Sequence, residues 1–225
     1  MELAMSCVLL LSFFFLSRQA AQVSSELGAE NEKKTIIVDP GHGGSDPGMV
    51  GVGGLEEKGI NLEISVKLKE SLEERGFRVL LTREEDTGLY DESADNKKAQ
   101  DLQRRIAFID GEKPALAVSI HQNSYSDPSV KGPQVFYYES SAEGKRLAEC
   151  IQDTMNKAAG EERARTVKGN TSYYLLKRSS SVLVIAECGF MTNPEEAELL
   201  QTEEYQERLA EAVAEGIEAY LSENL

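Results

Sequence analysis

Basic residues are scarce in this chain. Its 225 residues include 39 Asp and Glu but only 24 Lys and Arg, which gives a formal net charge of −15. A surface of that sign repels phosphate backbones and anionic lipid head groups. The composition therefore argues against nucleic acid and anionic lipid as partners. Acidic residues are spread over the predicted helices and crowd between residues 195 and 223, as expected of a solvated face.

Cysteine is nearly absent as well, since Cys7, Cys150 and Cys188 are the only three. Cys7 belongs to the apolar N-terminal segment, and two remaining cysteines cannot build a disulfide framework. Cys150 falls on a predicted helix and Cys188 beside a predicted strand. We interpret both as small buried hydrophobic residues.

The chain also lacks a hydrophobic run of comfortable transmembrane length. Residues 5–16 form an apolar run of 12 residues, which suits the core of a signal peptide. Ala20 and Ala21 follow it, but no basic residue precedes it and no A-x-A cleavage site is present, and Arg18 favours a retained anchor. We therefore expect a signal peptide or N-terminal anchor over residues 1–24, a polar linker over residues 25–34, and export from the cytoplasm.

Internal repeats and linkers rich in Pro, Gly or Ser are missing too, and from residue 35 onward strand and helix patterns alternate. The predicted strands cover residues 35–38, 77–82, 115–120, 134–138, 173–176 and 182–186. The predicted helices cover residues 59–75 and 102–110, a segment opened by a capping box at Ser140 and Glu143, a segment opened by Asn193-Pro194, and a final stripe over residues 205–220. Residues 83–100 are predicted to be a loop. We expect a single α/β domain over residues 35–225, with a central twisted, mostly parallel sheet of about six strands flanked by helices.

Histidine occurs only twice, and both residues follow predicted strands. His42 lies in a glycine-rich loop after the first strand, and His121 follows the strand at residues 115–120. Open α/β sheets bind ligands at the carboxyl ends of their strands. With Glu57 between them, at spacings of 15 and 64 residues, the histidines form a three-ligand zinc set that leaves a position for water. The alternative is that each is a hydrogen-bonded structural residue or a surface residue.

Glu187 ends the most apolar predicted strand, residues 182–186. A carboxylate is costly to bury there unless it has a partner or a chemical task. A catalytic zinc site needs a general base, and Glu187 is the candidate; a paired structural acid is the alternative. The glycines around His42 suit a metal loop, and because neither glycine motif of nucleotide sites is present, no nucleotide site is predicted.

Four segments together resemble the motifs of the zinc-dependent N-acetylmuramoyl-L-alanine amidases of the amidase-3 type. They occur in the order of that family, and the resemblance spans about residues 35–222. The segments are Asp39-Pro40-Gly41-His42-Gly43-Gly44, Glu57-Lys58, Ser119-Ile120-His121-Gln122-Asn123, and Glu187-Cys188-Gly189-Phe190-Met191-Thr192-Asn193.

The resemblance implies one Zn²⁺ bound by His42, Glu57 and His121, with Glu187 as the catalytic residue. The family's ligand is the glutamate directly before lysine, which selects Glu57 over Glu56. It also implies a supporting role for Asn123, and architectural or substrate-lining roles for Thr82, Arg83 and Arg105. Two departures from the family, Gly59 and Asp110, touch neither a ligand nor the base.

Within the family, residues 81–87 and 136–138 and the absence of wall-binding repeats are most similar to germination-specific amidases of spore formers. The implied reaction is hydrolysis of the amide between N-acetylmuramic acid and L-alanine in peptidoglycan, during formation of cortex muramic-δ-lactam. The implied location is the cell wall or extracytoplasmic space, such as the forespore intermembrane space, with an accessory activating protein as a possible partner. Two alternatives stay open: an inactive zinc-containing wall-binding or regulatory protein, and a zinc peptidase that cuts within the stem peptide.

Overall fold

Six strands and six α-helices alternate along the part of the chain that the computed structural model describes, which is Arg18 and residues 34–223. The strands are β1 (Thr35–Pro40), β2 (Arg78–Leu81), β3 (Leu116–Asn123), β4 (Gln134–Tyr138), β5 (Lys168–Asn170) and β6 (Leu183–Phe190). The helices are α1 (Glu57–Glu74), α2 (Lys97–Glu112), α3 (Ala142–Ala159), α4 (Tyr174–Arg178), α5 (Pro194–Leu199) and α6 (Glu203–Ser222). Short 3₁₀ turns lie at Val52–Gly54 and Glu161–Arg163.

The strands form one sheet in the order β2-β1-β3-β6-β4-β5. Strand β1 is parallel to both β2 and β3, and β3 is parallel to β6. Strand β4 is antiparallel to β6 and parallel to β5. The predicted α/β fold with a mostly parallel sheet of six strands is therefore confirmed.

One predicted strand is wrong. Residues 174–176 are not extended, because they begin the short helix α4, which buries Leu175 and Leu176 against the sheet. A short apolar run reads equally well as a strand or as a buried helical turn, so periodicity alone could not separate the two. The sixth strand is instead β5, whose sequence Lys-Gly-Asn has no apolar alternation.

Two predicted boundaries also move. Helix α2 begins at Lys97, capped by Asn96, whose side chain accepts a hydrogen bond from the Ala99 N–H. The predicted loop at residues 83–100 therefore ends earlier, and the predicted helix at residues 102–110 is longer.

The caps of α3 and α5 show how local these signals are. Helix α3 is capped by Ser141 rather than by the predicted Ser140, since the Ser141 hydroxyl accepts from the Gly144 N–H at 2.9 Å. Helix α5 has the predicted cap, because Asn193 Oδ1 accepts from the Glu196 N–H at 3.0 Å.

Side chains alternate between two cores on either face of the sheet. In β1, Ile36 and Val38 join the larger core, which holds residues of α1, α3 and α6, whereas Ile37 joins a smaller core with residues of α2 and α4. Successive strand residues point to opposite faces. In β6, Ile185 joins the smaller core, so Glu187 lies on that same face.

The described residues from Thr35 onward form one compact unit. The predicted signal peptide or anchor and the predicted linker lie outside the described residues, except for Arg18 and Lys34. Within the described part of the chain, no helix has the length and apolarity needed to cross a bilayer.

Candidate active site

The loop that carries His42 has a strained backbone. His42 has a φ of 62°, and the following residues, Gly43 and Gly44, have φ values of 129° and 58°. Residues other than glycine avoid this region because of steric clashes, and where they occupy it the surrounding structure holds them there. One contact that holds this loop in place is a hydrogen bond from the Gly41 N–H to the Ile120 carbonyl at 3.0 Å.

Two buried arginines form hydrogen bonds with the backbone of the same loop. Arg105 donates to Asp39 Oδ1 at 2.6 Å, to the Pro40 carbonyl at 2.7 Å and to the His42 carbonyl at 2.5 Å. Arg83 donates to the carbonyls of Pro40 and Gly41, both at 3.0 Å. These contacts are architectural, since both arginines bind the loop backbone and leave the imidazole of His42 free.

Glu57 is the first residue of α1 and is buried with 3% exposure. Its Oε2 accepts from the Met49 N–H at 2.8 Å, and its Oε1 accepts from the Gln122 N–H at 3.0 Å. The positive end of the helix dipole also favours a carboxylate here. The neighbouring Glu56 is half exposed and pairs with Lys58 at 3.3 Å, away from this position.

The structure brings His42, Glu57 and His121 together. Glu57 Oε2 lies 3.2 Å from His42 Nε2, and Glu57 Oε1 lies 3.0 Å from His121 Nδ1. One ligand atom from each residue lies within 4.8 Å of the other two. Two imidazoles and one carboxylate are a donor set that suits Zn²⁺. That these residues bind a metal remains a prediction.

Two glycines make room for this set. A Cβ at Gly41 would overlap the imidazole of His121, and a Cβ at Gly48 would lie 2.5 Å from Glu57 Oε2 and 2.6 Å from His42 Cδ2. Atoms do not approach so closely, so any side chain at either position would displace a candidate ligand. Close packing therefore requires both glycines, and Gly48 also has a φ of 69°, which favours glycine.

The charges at the site favour a cation. Burial lowers the pKa of His42, but hydrogen bonds with Asp46 and Glu57 outweigh it and raise the pKa to about 9. Burial raises the pKa of Glu57, but the two histidines lower it more, so the Glu57 carboxyl has a pKa well below its usual range. A pocket that stabilises added protons in this way also stabilises a metal ion, which would replace them.

Glu187 lies beside this set in the sheet, since it is the register partner of His121 in the β3–β6 pair. Its side chain is buried, and its Oε2 has no hydrogen-bond partner in the described structure. Burial raises the pKa of Glu187 to about 7. A paired structural acid would be hydrogen-bonded or ion-paired, and among the described residues the Glu187 side chain has no such partner. A carboxyl with a pKa near neutrality can both accept and return a proton.

These groups open into one cleft of about 640 Å³. Asn123 lines it, as a supporting role would require, and so do Lys98 and Tyr173, which the sequence did not single out. A third residue, Asp46, was also missed. Its Oδ2 lies 3.0 Å from His42 Nδ1, so it orients the ring and leaves Nε2 directed toward Glu57. Its position four residues after His42 was the only available signal.

An α/β sheet with such a donor set and an unpaired buried glutamate at the same cleft has the make-up of a metal-dependent hydrolase. Comparison with known proteins makes the class specific: residues 36–219 match the N-acetylmuramoyl-L-alanine amidase family Amidase_3. The chain belongs to this family of peptidoglycan amidases.

Individual relatives are similar over most of the chain. It is 37% identical over 193 residues to the germination-specific N-acetylmuramoyl-L-alanine amidase of Bacillus subtilis, covering 84% of this chain and 81% of that protein. A solved structure of the CwlD amidase from Clostridioides difficile, in complex with the GerS lipoprotein, is 39% identical with a TM-score of 0.82 and covers 84% of this chain and 99% of that one. The amidase AmiC2 of Nostoc punctiforme is 34% identical with a TM-score of 0.73, covering 84% and 97%.

Proposed function

We propose that this chain is a zinc hydrolase that cleaves the amide between N-acetylmuramic acid and L-alanine, with His42, Glu57 and His121 as metal ligands and Glu187 as the general base. The observation that carries the proposal is the position of Glu187. Its buried carboxylate has no hydrogen-bond partner among the described residues, lies next to His121 in the sheet and opens to the same cleft as the three donors. Membership of the amidase family supports the choice of bond.

The residues would divide the work as follows. Bound Zn²⁺ supplies Lewis acidity, which polarises a carbonyl and acidifies water. Asp46 holds His42 in one orientation, and the N–H groups of Met49 and Gln122 hold both oxygens of Glu57. Glu187 takes a proton from the attacking water and returns it to the amine nitrogen of L-alanine as that amine leaves.

The test is digestion of purified peptidoglycan by the zinc-loaded chain, with mass spectrometry of the products and metal analysis of the protein. The expected product is free stem peptide beginning with L-alanine. Glu187→Gln removes the base and keeps the shape of the side chain, so turnover should fall by a factor of about 10²–10⁴ while one zinc per chain is retained. The control is Glu198→Gln, which removes the same charge from an exposed position on α5 and should leave both readouts unchanged.

Other results would reject parts of the proposal. Peptides cut between later stem residues would identify a zinc peptidase. Bound zinc with no product would point to a non-catalytic wall protein or to a missing accessory protein. Near-normal turnover by Glu187→Gln would remove Glu187 from its role. His42→Ala should lower zinc content, and full zinc occupancy in that variant would contradict the ligand assignment.

We further propose that the enzyme is exported, acts outside the cytoplasmic membrane and serves spore cortex maturation with help from an accessory protein. The similarity to a germination-specific amidase supports the cortex role, and the C. difficile relative was solved with a lipoprotein bound. Spores that lack this chain should have cortex without muramic-δ-lactam, and a normal lactam content in muropeptide analysis would contradict the cortex role.

A further inference from the structure

A second groove adjoins the active-site cleft on the side of strands β4 and β5. It has a volume of about 510 Å³ and shares Asn123 and Tyr173 with the cleft. A substrate whose scissile bond lies beside Glu187 could therefore continue into this groove, and the groove's chemistry indicates which part of the substrate it fits.

Arg165 and Lys168 supply the charge of the groove, and none of the residues that line it is acidic. Among the described residues, neither side chain forms an ion pair. Arg163, nearby on the same segment, shows the contrast: its guanidinium pairs with Glu195 at 2.6 Å. In a chain with 39 acidic and 24 basic residues, two adjacent cations without carboxylate partners leave a local positive field that suits an anion.

Both cations are held in place by aromatic rings. The Arg165 guanidinium lies 5.1 Å from the centre of the Phe190 ring, and Lys168 Nζ lies 5.8 Å from the centre of the Phe136 ring. Among the described residues, the Arg165 guanidinium makes only two hydrogen bonds, both long: 3.3 Å to the Lys131 carbonyl and 3.4 Å to Gln134 Oε1. Its Nε is buried without a partner. A guanidinium has five N–H donors, so most of its donor capacity is unused.

The sheet register places these cations at a definite reach from Glu187. Gln134 lies opposite Glu187, and Phe136 lies opposite Lys168. These four side chains share one face of the sheet. Each pair consists of register partners, and Gln134 and Phe136 stand two residues apart on β4. Two residues along a strand and two strand spacings across correspond to roughly 12 Å between the Cα atoms of Glu187 and Lys168. An extended peptide spans that distance with three to four residues, at about 3.5 Å each.

From these positions we infer that the groove lined by Arg165 and Lys168 binds the carboxylates of the stem peptide. The inference rests on the proposed function, since the peptide begins at the amine that Glu187 protonates. A stem peptide carries a free carboxylate on its second residue and another at its C-terminus, both within reach of the groove. Charge-assisted bonds from arginine and lysine to those groups would fix the peptide direction and favour an anionic stem over a neutral one.

The test compares two soluble glycan substrates with the zinc-loaded full chain. One carries a tripeptide stem with both carboxylates free, and the other carries the same stem with both converted to carboxamides, which have nearly the same shape. The unmodified enzyme should hydrolyse the anionic substrate with about tenfold higher kcat/KM. Lys168→Gln and Arg165→Gln should each remove most of that preference by raising KM about tenfold for the anionic substrate, with kcat within about twofold.

The control is Lys177→Gln, which removes the same charge from an exposed position on α4 and should keep the preference. Equal hydrolysis of both substrates by the unmodified enzyme, or an equal loss on both substrates in the groove variants, would overturn the inference while leaving the amidase function standing. Hydrolysis of neither substrate would overturn the proposed function, and the inference with it. Lys168 is exposed, so if Arg165→Gln fails to fold, Lys168→Gln decides.

Discussion

The ion pair between Arg105 and Asp39 offers the sharpest test of how this fold supports its site. Both side chains are buried, with exposures of 2% and 0%. Asp39 also accepts from the hydroxyls of Thr82 and Ser119, each at 2.5 Å, and Arg105 also donates to the carbonyls of Pro40 and His42. Arg105→Met keeps much of the side-chain volume and removes every one of the arginine's donors.

The expected cost is large, because the variant removes donors from two carboxylates, Asp39 and Asp101, and from two loop carbonyls. Breaking a buried pair from one side typically costs about 3–5 kcal/mol. Domains of this kind have total stabilities of roughly 5–15 kcal/mol, so the loss is a substantial part of the whole. The matched control is Arg104→Met on the same helix, whose pair with Asp91 is exposed to solvent and, like other surface ion pairs, contributes little to stability.

The assay is urea unfolding followed by far-UV circular dichroism, since the chain has no tryptophan. At pH 7 we expect Arg105→Met to lose at least about 3 kcal/mol in the free energy of unfolding, whereas the unfolding curve of Arg104→Met should stay close to that of the unmodified chain. The double variant Asp39→Asn/Arg105→Met should lose clearly less than the sum of the single losses, because the orphaned charge is then absent.

The stability deficit of Arg105→Met should depend on pH in a definite direction. Burial raises the pKa of Asp39, but Arg105, Ser119 and Thr82 lower it more, so the net pKa lies below its usual value of 3.8. A carboxyl with a lowered folded pKa contributes stability above its unfolded pKa and loses it as the pH falls through the folded pKa. The deficit of Arg105→Met should therefore be greatest at neutral pH and shrink below about pH 4. Losses below about 1 kcal/mol at pH 7, or a deficit independent of pH, would refute the reasoning.

Two further substitutions test close packing and buried hydrogen bonds. Gly41→Ala should displace the His121 ring and raise the zinc dissociation constant at least tenfold in a competition titration with a chelator. The control, Gly59→Ala, has open space around it and should leave zinc affinity unchanged while stabilising its helix by about 0.5–1 kcal/mol. Unchanged zinc affinity in Gly41→Ala would contradict the geometry. Glu196→Ala should cost about 3 kcal/mol in urea unfolding, because two backbone N–H groups that donate to its carboxylate at 2.8 and 2.9 Å would lose their acceptor. Glu198→Ala, at an exposed position, should cost less than about 0.5 kcal/mol. Equal costs in the two variants would show that the two hydrogen bonds are unimportant.

Much of the fold was predictable because its signals are local. Strand β4 has the predicted bounds, and the Asn193 cap needs only the Glu196 N–H three residues away. The strand prediction for residues 173–176 was wrong for the same reason, since a local pattern of four apolar residues does not say whether they form a strand or a helical turn. Strand β5 carries no apolar pattern, and only pairing with β4 makes it a strand.

The candidate site likewise has features that the sequence predicts and features that only the tertiary structure shows. The sequence alone predicted the set of His42, Glu57, His121 and Glu187, because each residue's identity and its place after a strand or in a short motif can be read along the chain. Only the tertiary structure decided that Arg105 and Asp39, 66 residues apart, hold the His42 loop, and that Arg165 lies beside the cleft. Such contacts join segments whose separation along the chain says nothing of their distance in space, and they exist only once the sheet has brought those segments together.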